Sequence, residues 1–494
     1  MLPGMADPAP AATGLPGAAG GTELPVRFAG PGAGSGALSW GQRELWQTMR
    51  WKRTWLPIGT VLPLPAGSTL ARAVADLRFV MGRYPSLRTR LRFPPDGLPD
   101  PESPSDPEDL SDPEDLSDPD GPVQVVADSG QTRLEVVDTP PGTEPAEVAE
   151  QVRQHYFDRA YDFAAEWPLR MAVIRHRGVL THRVWVFCHL ATDGTGARVI
   201  LQDLAARDRP GAGAGRPAPL EQVRWQRSPA GRRQSEAALR RWETMLRRLP
   251  ARRFPERTAG NGPRYWLGLL DSPATALAAR VISARTGVEL ASVLLAVFAV
   301  ALARVTGINP VVFRPTVSNR FRPGLARTVS PIIQNGLCVI DVPDGTVDQA
   351  VAHTRCRALA GYKYAYHDPV RLTELVARVG RERGEQLDLG CLFNDSRLRP
   401  VDPTAPLPGP AQLRAALSRS RFRWLQQQDH RPFDPLFVTI EDVPDTAEIE
   451  VATDAHHLSP ATAAGCLRGM EEVAVAAALY PATRTGVAPA RGWL

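Results

Sequence analysis

Lysine is almost absent: of 58 basic residues only Lys52 and Lys363 are lysine, and the rest are arginine. Arginine use this one-sided is what GC-rich coding produces, so a net charge of +5 is not by itself a nucleic-acid signal. No nucleic-acid motif is present, and the arginines are not interleaved with aromatic residues as a base-stacking groove requires. Cysteine is scarce as well. Cys188, Cys338, Cys356, Cys391 and Cys466 lie far apart and form no CxxC pair, which excludes a disulfide frame and a zinc ribbon and fits reduced thiols in the cytoplasm. The longest apolar run, residues 290–303, has 14 residues between Glu289 and Arg304, too short to cross a bilayer. The opening MLPGMADPAPAATG has neither a basic start nor an apolar core, so no secretory signal is expected. A glycine-rich phosphate loop is missing too. These absences predict a cytoplasmic protein with no nucleic-acid partner, no membrane span, no metal and no bound cofactor.

What is present points to a large folded unit. The 494 residues are 43% apolar, and at roughly 100–200 residues per domain they suggest two to four domains or one two-lobed body. Proline (48) and glycine (41) together reach about 18%, so loops and tails are generous. Charge is divided unevenly: residues 94–121 hold eleven acidic groups and no basic one, which leaves +16 on the remainder. Inside them, SDPEDL-SDPEDL-SDPDGP repeats every six residues from 105 to 122. Proline at that spacing and dense negative charge forbid a packed core, so residues 94–122 read as a solvated acidic insertion.

Residues 1–24 read as a disordered tail and 25–208 as a first lobe, with folded sequence starting near Ser39. Ser68 is offered as N-cap to a helix with Leu70, Val74, Leu77 and Met81 on one face. Residues 86–93 (SLRTRLRF) alternate as a strand should, with Val123–Val126 as hairpin partner. A helix around 146–157 follows, then a hairpin of 169–174 with 184–189 across a turn near Gly178, then a helix from GARVILQDLAARD. The Pro/Gly/Ala stretch 209–219 is the best boundary, leaving 220–494 as a second lobe. Its start, 224–257, holds eleven arginines, partly on a helix with Leu239, Trp242, Leu246 and Leu249 on one face. Residues 286–307 predict a central helix, apolar nearly all round. Strand-like runs at 311–320, 338–342, 389–395, 436–442 and 448–454 alternate with helices, and a last helix covers about 461–478. The expected class is α/β (α+β), two lobes with mixed sheets and flanking helices.

The chemically informative segment is Cys188-His189-Leu190-Ala191-Thr192-Asp193-Gly194, where a strand ends and a helix begins. Side chains at such a junction project into a cleft, and a histidine there is able to serve as a general base. Asp193, followed by a flexible glycine, turns back to hold the local backbone and an arginine. Cys188 reads as a strand-end thiol.

This segment resembles the HHxxxDG signature of nonribosomal peptide synthetase condensation domains, members of the chloramphenicol acetyltransferase-like superfamily. The resemblance covers most of residues 38–480. LSWGQRELW (38–46) is similar to the family's opening motif, and RYPSLRTRL (83–91) to its RHExLRTxF motif. YDFAAEWPLRMAVI (161–174) resembles the approach to the active-site strand. Residues 286–307 match the long buried helix of the second lobe. PTVSNR (315–320) and VSPIIQNGL (329–337) resemble two later motifs. Several positions depart from the pattern: Cys188 replaces the first histidine, Ser330 a glycine and Gln334 an asparagine, and Thr195-Gly196 stands where a tryptophan is usual.

The resemblance implies two chloramphenicol acetyltransferase-like lobes forming a V with a central tunnel. It implies an acyltransferase of natural-product biosynthesis, joining an acyl or aminoacyl thioester to an amine or hydroxyl acceptor. The donor would be held on the phosphopantetheine of an acyl- or peptidyl-carrier protein met in trans by a freestanding enzyme, or on CoA. His189 would be the general base and the Gly194 N–H an oxyanion donor. Asp193 would form a structural ion pair with Arg320, or failing that Arg314, with Cys188 and Thr192 beside the motif. The alternatives are an acyl-CoA-dependent transferase of the same superfamily, or a recruitment domain whose chemistry has decayed.

Overall fold

The computed structural model of the chain describes residues 21–94, 121–207, 218–250, 253–254, 262–399, 402, 404–429 and 433–489. The acidic repeat up to residue 120, and most of the 1–24 and 209–219 segments, lie outside the described residues.

The fold is mixed α/β, built on two large sheets. The first has five strands in the order Thr22–Ala29, Ser129–Asp138, Leu169–His176, Val179–Cys188, Pro57–Pro63. Only the pair Ser129–Asp138 with Leu169–His176 is parallel. The hairpin Leu169–His176/Val179–Cys188 turns on Arg177 and Gly178, both at positive φ (50° and 81°), the geometry whose twist matches two antiparallel strands. Both strands are covered on both faces. Met171, Val173, Trp185 and Phe187 pack under helices Leu70–Arg83 and Gly194–Ala205. Ala172, Ile174, Val184, Val186 and Cys188 pack under helices Trp40–Lys52 and Pro145–Asp158. The period of two thus divides one strand between two cores.

The second sheet runs Gln334–Asn335, Val311–Val317, Cys391–Asp395, Leu436–Ile440, Ala447–Asp454, Tyr265–Ser272, Arg421–Gln428, with Cys338–Ile340 also paired to Val311–Val317. Helix Leu290–Thr306 is buried at every position from Ser292 to Ala303 and ends where Gly307 turns left-handed at φ 69°. It packs among helices Pro273–Thr286, Val347–Lys363 and Pro460–Leu479. Each fully buried Val, Leu or Phe there contributes about 1.5–3 kcal/mol, which is why the helix is apolar all round. Leu239, Trp242, Leu246 and Leu249 are buried together, the first three on helix Pro229–Leu246 and Leu249 just beyond its end. A small third sheet pairs Gly34–Ala37, Val123–Val126 and Thr89–Arg92.

Several local expectations need correction. Strand Thr22–Ala29 lies ahead of Ser39, so residues 22–24 belong to a strand and not to the tail; this sheet-edge strand, mostly exposed, lacks the apolar density that marks an element in sequence. The N-cap of helix Leu70–Arg83 is Thr69, whose hydroxyl accepts from Arg72 N, while the Ser68 hydroxyl donates to the Pro65 carbonyl. Residues Pro85–Arg88 form a 3₁₀ turn before strand Thr89–Arg92, because Pro85 fixes a turn geometry at the start. Pro219 already opens helix Pro219–Arg227, so the linker ends before it. Leu220 of that helix packs over Gly34 and Gly36, which leave room by having no side chain, while Gln226 donates to the Tyr366 hydroxyl at 2.9 Å.

Candidate active site

Strand Val179–Cys188 hands over to helix Gly194–Ala205 through five residues, His189 to Asp193. The handover is a tight turn closed by Ala191 N donating to the Cys188 carbonyl at 2.9 Å. Asp193 is the helix N-cap; its Oδ1 accepts from Gly196 N at 2.9 Å. The same carboxylate, 1% exposed, takes both arms of Arg320, Nη1 to Oδ2 at 2.8 Å and Nη2 to Oδ1 at 2.6 Å. Ile332 N adds a donor at 3.3 Å. Arg320 also donates to the Thr328 carbonyl at 2.9 Å. The turn that aims Arg320 is made by Asn319 at φ 55°, a left-handed residue tied to the Ile332 carbonyl at 3.0 Å. A buried carboxylate this well supplied with donors is a fixed charge that locks a loop of one sheet to a segment following the other. Arg314 goes elsewhere, donating to the Leu389 carbonyl at 2.8 Å and lying 4.0 Å from Asp434.

His189 stands in contrast. Its side chain is partly exposed, and no hydrogen bond among the described residues engages the ring. Nδ1 is buried without a partner, whereas Nε2 is not among the buried unpartnered nitrogens, which makes it the solvent-reachable one. Burial holds the imidazole below its ordinary range, opposed by the nearby Asp193 charge and by backbone at His189 and Thr192. The ring is therefore neutral at neutral pH, the state a general base needs.

Cys188 is 1% exposed with its Sγ 3.9 Å from the Trp55 carbonyl, and burial pushes its thiol up to about 12. It is a protonated packing residue. Thr192, wholly buried, donates its hydroxyl to the Asp193 carbonyl at 3.2 Å. Gly194 is exposed, and a Cβ there would meet nothing within 4 Å; its N–H is the first of the helix and has no intrahelical acceptor. Gly196 is the opposite: a Cβ would lie 2.4 Å from the Val329 carbonyl oxygen.

Other residues of the site lie in the 38–46 and 329–337 motifs, which say nothing of what they hold. Gln42 forms a capping box with Ser39 and reaches from helix Trp40–Lys52 to the Leu190 carbonyl at 3.3 Å, next to His189. Two residues on, Glu44 receives Asn335 N and Nδ2, both at 2.9 Å, and Gln334 Nε2 at 3.0 Å. Burial raises the Glu44 carboxyl even so. A Cβ on Gly41 would lie 2.6 Å from the Pro331 carbonyl oxygen. The Ser330 hydroxyl accepts from Gln222 Nε2. Segment 329–335 is thus held by helix Trp40–Lys52 and by the Asp193 turn together. The capping box S-x-x-Q at 39–42 was visible in sequence, but its reach to Leu190 depends on tertiary contact.

The sequence model of the Condensation domain family matches residues 116–386, more than half of the chain. No curated protein matches the sequence. The condensation domain that mediates chain release from the enacyloxin polyketide synthase superposes with a TM-score of 0.65 at 18% identity, covering 92% of this chain and 84% of that one. The SgcC5 protein from Streptomyces globisporus gives 0.65 at 16% identity, covering 91% and 100%. The X-domain from teicoplanin biosynthesis gives 0.60 at 18%, covering 92% and 97%. Among the described residues no single helix is long and apolar enough to cross a membrane.

Proposed function

Because the chain belongs to the condensation-domain family, we propose that it moves an acyl or aminoacyl group from a carrier-protein thioester to an amine or hydroxyl acceptor, with His189 as general base. The observation that carries this reading is the partly exposed imidazole whose Nε2 is reachable, set four residues before a charge-locked Asp193. Condensation domains of nonribosomal peptide synthetases act on substrates held on the phosphopantetheine of carrier domains. Here that thioester is substrate.

The acceptor nitrogen or oxygen attacks the thioester carbonyl carbon while Nε2 takes its proton. Collapse of the tetrahedral adduct breaks the C–S bond, and the leaving sulfur recovers that proton, so the imidazole ends neutral. A base so placed contributes about 10²–10⁴ in rate, and juxtaposition of two bound substrates supplies much of the rest. The Gly194 N–H, at a helix start, is the oxyanion donor of this scheme. Asp193 carries no proton in it; with Arg320 it fixes the turn. Two lobes diverging around a tunnel, with donor and acceptor entering from opposite sides, complete the proposal. An arginine-rich body favours encounter with an acidic carrier.

A second reading, a recruitment domain without turnover, has two observations in its favour: Nδ1 lacks the partner that would orient the ring, and Cys188 replaces the first histidine of the signature. One experiment separates the readings. The purified chain is given an acylated carrier, or the matching CoA ester, with amines and alcohols, and product and carrier mass are followed. Transfer from the carrier that is lost in His189→Ala supports the first reading. Transfer from CoA alone replaces the carrier with CoA as donor. Carrier binding with no transfer to any acceptor leaves recruitment.

A further inference from the structure

A cleft of about 320 Å³ that His189 does not line lies among helix Trp40–Lys52, helices Pro219–Arg227 and Pro229–Leu246, and the start of helix Pro369–Arg383. Four arginines line it: Arg43, Arg227, Arg232 and Arg371. Their charge is scarcely offset. Arg232 donates to the Arg227 carbonyl at 2.7 Å, and Arg371 comes only within 4.0 Å of Glu236. Among the described residues Arg43, Arg227 and Arg232 have no carboxylate within ion-pair distance. The one lining carboxylate, Asp368, is occupied as an N-cap, accepting from Val370 N at 3.1 Å. Ala37, Leu38, Trp40, Val223 and Val370 supply the apolar lining. A concave site with uncompensated guanidinium groups is suited to carboxylates, which pair with them in forked geometry.

The sheet register places a carboxylate source beside it. Ala37, a lining residue, is paired with Val123, and Val123 is paired with Arg92. The chain therefore leaves for the acidic repeat, and returns from it, within two strand spacings of the cleft, about 10 Å. Residues 94–121 carry eleven acidic groups and no basic one. Twenty-six residues, 95–120, lie between the described ends, so the middle of the segment reaches about 40 Å out and back. Tethering at this distance gives an effective concentration on the order of millimolar, enough to fill a site of weak intrinsic affinity.

We propose that the arginine cleft binds acidic polypeptide and that the SDPEDL repeat of the same chain is its resident ligand. The contact is electrostatic: carboxylates of 105–120 pair with Arg43, Arg227, Arg232 and Arg371, and any acidic partner reaching this face must displace them. Salt weakens it through screening.

The test uses the full chain. Cys356, the one exposed thiol among the described cysteines, is changed to Ser, and a fluorophore is placed on Ser111→Cys. The label is expected to be held at about 50 mM salt and released at about 500 mM, and also released at low salt in Arg43→Ser/Arg227→Ser. In parallel, a free SDPEDLSDPEDL peptide is titrated into a chain whose 105–120 carboxylates are all changed to Asn or Gln. It should bind that chain about tenfold more tightly than the wild type or the arginine double variant carrying the same neutral segment. Label anisotropy indifferent to the two arginines, or equal peptide binding by all three chains, overturns the proposal. Equal binding of an acidic carrier protein to wild-type and neutralised chains overturns the assignment of the repeat as occupant.

Discussion

Two histidines in this molecule share one electrostatic condition and differ in everything else. His189 follows an inner strand of the first sheet, while His367 precedes helix Pro369–Arg383. Both are held below the ordinary imidazole range by burial, His367 to about 4. His367 is wholly buried, edge-to-face on Trp242 at 5.7 Å, with neither ring nitrogen partnered, and Gln334 pins its backbone from both sides. His189 keeps one nitrogen within reach of solvent. A depressed pKa therefore does not set the two histidines apart; access to Nε2 does, and on it the proposed role of His189 rests.

The sharpest way to break that contrast is to remove each ring. His189→Ala is expected to lower transfer by about 10²–10⁴ with an unchanged melting curve, whereas His367→Phe keeps the rate within about twofold. Equal loss in both variants would erase the distinction. Arg320→Ala should cost about 3–5 kcal/mol in denaturant unfolding, because Asp193 is left buried and unpaired. Unchanged stability would mean that the Asp193 lock is not what holds the turn.

The pH dependences differ in kind. His367 titrates near 6.5 when unfolded and about 4 when folded, so its contribution is complete above 6.5 and is lost as pH falls toward 4, about 3 kcal/mol in all. His367→Phe should flatten that acid limb of stability. For His189 the readout is rate: protonation removes the base, so kcat/KM should fall with acid at a pH below 6.5. Smallest are the two glycines of the turn. Gly196→Ala should cost about 1–3 kcal/mol against the Val329 carbonyl, while Gly194→Ala stays within about 0.5 kcal/mol because its Cβ enters open space. Thermal melts of the pair check both.

The sequence made the large elements legible where one periodicity dominated. Helix Leu290–Thr306 and the Leu169–His176/Val179–Cys188 hairpin could be read directly, since their central stretches are buried and almost wholly apolar. Strand Arg421–Gln428 could not: it is a sheet edge with arginines and glutamines outward, so its pattern matches a loop. In the site, His189, Asp193 and Arg320 stood in motifs. Gln42 and Glu44 also lie in one, LSWGQRELW, but what they hold was not legible, because it depends on a segment about 290 residues away in sequence for Glu44 and about 150 for Gln42.

The two bare Cα atoms at Gly41 and Gly196 act as hard stops. Each sits at the first turn of a helix and presses against a carbonyl of the same short stretch, Pro331 and Val329. The gap across this seam is thus set by main chain touching main chain, not by whichever side chains happen to fill it. Substitutions at neighbouring side chains leave that contact in place, and with it the spacing between the Asp193 turn, helix Trp40–Lys52 and the 329–331 stretch.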